Sequence, residues 1–318
     1  MTLAPFVQTL GRGPGRSRSL TKTEAEAAMQ IMLSGAADPQ AVGAVLMLMR
    51  MKGETADEIA GFAAAAQRWV ASMPDANLDW PSYAAGRSRG LPWFLLAAKL
   101  VARSGRRVLL HGWNGSDVAV RAGLAEAGVT VAACAGEAAR ALEAHNIVYV
   151  PLEEMSPALF DLLRLRDVLG LRSCINTVAR MMNPGRAPAS VQGVFHPSYR
   201  LLQSDAAQTL GWHALSVIKG GGGEFERHPG KPAAAFGLRE GVPWQELVPA
   251  KTGDVRRLAD GPMQPGALCG LWEGHFHDDF ATAIVLGTAE LAFATLGVSA
   301  SRELTEKLWA DRLTPLAA

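Results

Sequence analysis

Cysteine, net charge and aromatic residues are all scarce in this chain, and each scarcity excludes something. Three cysteines in 318 residues, none in a CxxC arrangement, leave too little for a disulfide framework or a structural zinc site. With 31 Lys+Arg against 30 Asp+Glu, the whole molecule exerts no pull on nucleic acid or membrane, so any such attraction must be local. Aromatics are 7% of the residues, yet hydrophobic residues reach 49% and charged residues only 19%, a balance that excludes intrinsic disorder. The basic N-terminal stretch (Arg12, Arg16, Arg18, Lys22) leads into TKTEAEA rather than into the apolar run of a signal peptide. The most apolar stretch, 281–298, contains Glu290 and reads as a buried helix, not a membrane span. The expectation is a soluble cytoplasmic protein without a membrane partner.

What is present divides the chain near residue 75. Residues 19–73 read as helices. Thr21 with Glu24 and Thr55 with Glu58 have capping-box spacing, and Asp38 precedes Pro39 as an N-cap before a first-turn proline. The helix from Pro39, AVGAVLMLMRMK, is apolar on nearly every side until Arg50 and belongs inside a bundle or a dimer interface. Beyond Pro74, β-rich runs at 108–112, 128–133, 146–151, 190–197 and 214–220 alternate with helical segments such as 121–128 and 137–145. That alternation specifies crossover units and a mostly parallel sheet. The reading is an α/β protein with a helical domain at 1–75 and an α/β ligand-binding domain at 76–318; residues 156–182 turn helical again and are expected to pack on the first domain. A last helix starts at Asp278-Asp279. In such sheets ligands bind beyond the carboxyl ends of the strands.

Residues 80–116 hold Arg87, Arg89, Lys99, Arg103, Arg106 and Arg107 and no Asp or Glu. Interleaved with Trp80, Tyr83, Trp93 and Trp113, they read either as a phosphate-binding groove with stacking rings or as a solvated helix face over core aromatics. Lys219 and the run Gly220, Gly221, Gly222 and Gly223 form a loop able to offer N–H groups to an anion, or a plain surface hairpin. His111 contacts phosphate or caps its turn. In HFHDD, 275–279, capping of the last helix outweighs metal binding.

Three segments together resemble the anthranilate phosphoribosyltransferase family, glycosyltransferase family 3: LMLMRMKGETADEIAGFAAA; RDVLGLRSCINTVARMMNP (166–184), similar to R-x-x-L-G-x-R-T-x-x-N-x-L-G-P-L-x-N-P; and VIKGGGGEFERHP (217–229). His111-Gly112 matches the family's His-Gly pair. The resemblance spans roughly residues 20–300. It implies a helical bundle joined to a nucleoside-phosphorylase-type α/β domain, a homodimer, and phosphoribosyl transfer with magnesium. It places Arg166 where the family binds the aromatic acid's carboxylate, with Asp161 or Asp167 as its alternative ion-pair partner; Arg172 and Asn176 are further acceptor-side candidates, Asn176 with the alternative of tying helix to loop. Departures fall on the donor side. The GTGGDG loop lands on Ser82 to Arg87, and the Asn-x-Ser-Thr phosphate contacts land on Pro92, Phe94 and Leu95. The magnesium-holding Asp-Glu pair lands on Glu224-Phe225, with Glu226 one position on, and Ala179-Arg180 replaces a Gly-Pro turn. These departures are similar to a divergent, nucleic-acid-binding branch of the family. The expectation is a basic cleft binding DNA or RNA backbone through Arg87, Arg89, Arg103, Arg107, His111, Lys219 and Gly220–Gly223. The alternative is an active pentosyl or phosphoribosyl transferase with Arg166, Arg172 and Asn176 at the acceptor and, only in that case, magnesium at Glu224.

Overall fold

The computed structural model describes residues 2–70, 72–83, 90–115, 118–260 and 264–315. Four helices come first: α1 (Ala4–Gly11), α2 (Lys22–Leu33), α3 (Pro39–Lys52) and α4 (Ala56–Trp69). Both capping boxes form, and Asp38 accepts from the Gln40 and Ala41 N–H groups. The second box does more than cap. Glu58 is fully buried, and besides Thr55 it binds the Leu20 N–H and the Lys52 ammonium, tying the starts of α2 and α4 to the end of α3. Helix α3 buries Val42, Val45, Leu46 and Met49, while Met51 is 85% exposed.

The α/β part runs β1 (Leu78–Ser82), α5 (Phe94–Ala102), β2 (Val108–Gly112), α6 (Val118–Ala127), α7 (Ala135–His145) and β3 (Ile147–Pro151). The chain then turns back through α8 (Leu152–Met155), α9 (Pro157–Leu169) and α10 (Ile175–Arg180), where Arg50 of α3 donates to the Arg172 carbonyl. It re-enters the sheet as β4 (Ala189–Val194), α11 (Tyr199–Leu210), β5 (Ala214–Lys219), β6 (Ala233–Arg239) and β7 (Val242–Val248), and ends with α12 (Ala267–Glu273), α13 (Asp279–Thr295) and α14 (Ser301–Ala310). The seven strands lie in the order β3-β2-β1-β4-β5-β6-β7; the first five are parallel and the last two antiparallel. Val108 and Leu110 point into the core under α5, α12 and α13, and Leu109 points into the other. Burial on both faces is what lets these parallel strands read as unbroken apolar runs.

Three expectations change. The 128–133 run forms only an isolated bridge, Val131 to Tyr149, with Val131 47% exposed. Strand β1 was hidden in the sequence by Pro81, a residue that argues against a central strand. It is tolerated because the ladder to β4 covers only Leu78 and Asp79; beyond them β1 pairs with β2 alone. Strands β6 and β7, also unread, form a hairpin through Glu240-Gly241, both at positive φ.

Candidate functional site

Strand order reverses between β1 and β4, and β4 parts from β1 after Asp79, so a crevice opens at the carboxyl ends of these strands. Its two sides differ.

On the β1–β2 side the carboxylate, imidazole and hydroxyl groups at the strand ends are tied to one another, although the buried Trp80 Nε1 has no partner. His111 is fully buried; its Nε2 donates to Asp79 Oδ1 at 3.1 Å, and its Nδ1 lies 2.9 Å from the Tyr83 hydroxyl. Asp79 Oδ2 accepts from Ser190 Oγ at 2.7 Å. A ring enclosed with both nitrogens engaged cannot reach a phosphate, so the expected contact at His111 is replaced by a structural one. Burial pushes the Tyr83 and Tyr149 phenols up, keeping both neutral. Asn114, unnoticed in the sequence, donates to Ser82 Oγ at 3.0 Å and comes within 3.4 Å of Glu224 Oε1.

The basic segment does not converge. Arg87 and Arg89 lie outside the described residues. Helix α5 runs back across the sheet, delivering Arg103 and Arg107 to the amino ends of the strands, away from the crevice. There Arg103 donates to the Asp311 and Thr314 carbonyls, and Arg106 lies over Phe293. The Arg107 carbonyl accepts from Asn77 and Leu78 at the start of β1. Lys99 stacks on Trp272, 4.3 Å from the ring centroid. Nor are the rings free to stack on bases. Trp80, Tyr83 and Trp93 are buried, Trp80 against Phe94 and Phe225, and half-buried Trp113 meets Phe160 edge-on.

The glycine run is also not an open anion cradle. The N–H groups of Gly220, Gly221 and Gly223 bond to the carbonyls of Val194, Glu226 and Gly220. Small residues are needed here for packing: a Cβ on Gly193 or Gly220 would fall 1.9 or 1.6 Å from backbone atoms of Glu224. Lys219 stands exposed at the end of β5. Glu224 is fully buried beside Asn114. Glu226, also fully buried, accepts the Phe94 N–H at 2.9 Å, so a protein carboxylate sits on the N-terminus of α5.

On the β4–β5 side a cavity of about 230 Å³ opens between α9–α10, β4 and α11, and Arg50, Arg172, Asn176, Arg180, His196 and Gln203 contribute to its wall. Arg172 and Asn176 thus share a pocket. Arg166 is not part of that wall: its guanidinium lies 5.5 Å from the Trp113 ring centroid and 3.6 Å from Asp167. Arg180, visible in the sequence only as the loss of a turn, is 8% exposed and spans the crevice from α10 to the Tyr83 carbonyl while also bonding the Asn176 carbonyl. Its backbone carbonyl accepts from Gln192 of β4. Burial lowers its pKa, and the Arg172 charge adds to that, while Glu224 opposes it. The HFHDD segment is a cap, as expected: Asp278 accepts from the Phe280 and Ala281 N–H groups and pairs with Arg256. Among the described residues no helix is long and apolar enough to cross a membrane.

Comparison with known proteins gives consistent results. Residues 4–68 match the helical bundle domain of a glycosyl transferase family. The chain is 30% identical over 261 residues to an anthranilate phosphoribosyltransferase 2 of Streptomyces coelicolor, covering 80% of this chain and 76% of that protein. It is 29% identical over 269 residues to the enzyme of that name from Rhodopseudomonas palustris, with 80% and 79% covered. Among solved structures, the Thermus thermophilus anthranilate phosphoribosyltransferase superposes with a TM-score of 0.78 at 21% identity, over 93% of this chain and 92% of the other. The Saccharomyces cerevisiae enzyme in complex with PRPP and Mg gives 0.78 at 15% identity, over 98% and 93%.

Proposed function

The chain belongs to the anthranilate phosphoribosyltransferase family, and on that premise we propose that it is a pentosyltransferase whose acceptor is a small anionic, nitrogen-bearing molecule held at the β4–β5 side of the crevice. The observation that carries this reading is Arg180, a buried guanidinium placed where the strand order reverses, beside Arg172 and Asn176. Guanidinium forks suit planar anions. The acceptor nitrogen bonds to the sugar carbon as the bond to the leaving pyrophosphate oxygen breaks; the electron pair departs with that oxygen, and the proton lost from the acceptor nitrogen passes to water or to the departing pyrophosphate. Positive charge grows on the sugar during this step, and the buried Glu224 carboxylate is the group in the crevice that offsets it.

Magnesium is the metal the family implies, and the donor set does not fit it. Glu224 has Phe225 where the second acid belongs, and Glu226 is committed to the α5 backbone.

The test is mass-spectrometric detection of a pentosylated product, with release of pyrophosphate, from PRPP and a panel of anionic amines that starts with anthranilate. A product that disappears in Arg172→Gln supports the reading. Absence of product across the panel, together with tight, steeply salt-dependent binding of an oligonucleotide, replaces it with the nucleic-acid reading.

A further inference from the structure

The wall of the β4–β5 cavity holds more unanswered polarity than a simple carboxylate would satisfy. Arg180 uses two guanidinium nitrogens on the Asn176 and Tyr83 carbonyls, while its buried Nε has no hydrogen-bond partner. Gln203, 1% exposed, also lines the cavity, and its Oε1 has no partner. Both atoms lie just beneath the cavity surface with almost no accessible area of their own; unanswered there they are costly, and a ligand that turns either side chain toward the cavity relieves that cost. The wall carries three arginines, His196 and the hydroxyl residues Ser173 and Thr177, and among the described residues no Asp or Glu lines it. Two acids act on residues of the wall without lining it: Glu224 acts on Arg180 through space, and Glu54 accepts from the Tyr199 hydroxyl. Arg172 and Arg180 repel each other across this space. An anion with several oxygens, bridging the two, removes the repulsion and satisfies the open donor together. At about 230 Å³ the cavity is smaller than the ~300–1,000 Å³ of drug-sized sites, a volume for a small molecule and not for a strand.

We propose that this pocket takes a phosphomonoester dianion that also carries a hydroxyl or amino donor, with the phosphate between Arg172 and Arg180 and the donor on Gln203. The proposal rests on the acceptor-site reading above and narrows its ligand from any anion to a phosphorylated one. Gln203 and Arg180 then set specificity from opposite ends of the ligand. Neither residue is required to take part in bond making.

The experiment is calorimetric titration of the full chain with four probes: phenyl phosphate, benzoate, inorganic phosphate and ribose 5-phosphate. Phenyl phosphate should bind at least about tenfold tighter than benzoate, because the dianion brings a second charge and a third oxygen to the two arginines. Arg180→Gln should remove most of that preference, and Arg180→Lys should restore part of it. Gln203→Leu should weaken ribose 5-phosphate more than phenyl phosphate. Equal affinity for phenyl phosphate and benzoate in the wild-type chain overturns the proposal without need of a variant that might misfold. So does inorganic phosphate binding as tightly as either ester, or displacement of phenyl phosphate by an oligonucleotide lacking terminal phosphates. Ester binding with no transfer product keeps this inference and removes the transferase reading. Transfer to an unphosphorylated acceptor with no ester binding does the reverse.

Discussion

The two sides of the crevice are built from the same kind of strand end, yet one is closed and the other is open. At the ends of β1 and β2, Asp79, His111, Tyr83 and Ser190 satisfy one another in a buried network. Across the crevice, Arg180 at the end of α10 and Gln203 in α11 are also buried, but each keeps a polar atom without a partner. Burial alone therefore does not mark function in this molecule. What separates the two sides is how far the buried polar groups at the strand ends have answered each other.

The comparison can be broken most violently on the closed side. Asp79→Ala strands the His111 and Ser190 donors and leaves a hole in the sheet. Unfolding in urea should show a loss of about 3–5 kcal/mol. Glu226→Gln, at the rim between the sides, keeps an acceptor on α5 but removes its charge; about 1–2 kcal/mol should be lost in the same assay. On the open side the order of effects reverses. Gln203→Leu exchanges an unsatisfied group for an apolar one, so stability should move by less than about 1 kcal/mol while ester affinity falls. The smallest effect lies outside the crevice and serves as its control. Glu24 is held down to about 2, from the usual 4.5, by the Arg18 guanidinium first and the Thr21 N–H second. Because its folded pKa is depressed, its contribution is complete above about pH 4.5 and fades as pH falls toward 2. Thermal melts of Glu24→Gln against wild type should therefore show a small gap at neutral pH that closes on acidification, since the pair is solvent-exposed.

Much of the architecture was legible because its signals are local. The capping boxes at Thr21 and Thr55, the Asp38 and Asp278 caps and the apolar runs of β2 to β5 need only their own neighbours. Strand β1 was not legible, because a proline in a central strand makes sense only once β4 is seen to leave the ladder after Asp79. The β6–β7 hairpin was missed for a chemical reason: Glu240 occupies a left-handed position where Asn or Asp usually announces the turn. At the site, Arg172 and Asn176 were found through the family pattern. Arg103 and Arg107 were misplaced because sequence proximity to His111 says nothing about the end of the sheet to which α5 delivers them. Arg180, Gln203 and Asn114 carried no signal beyond their residue types; their meaning lies in what surrounds them.

Glu226 on the first turn of α5 has a consequence for how the chain lives between encounters with ligand. A helix end that awaits a dissolved anion is steadied only in proportion to the supply of that anion, by the logarithm of concentration over dissociation constant. Here the stabilising charge is covalently part of the chain, at fixed effective concentration whatever the surroundings contain. The chain has traded a responsive element for a permanent one, and α5 holds the same shape in scarcity as in plenty.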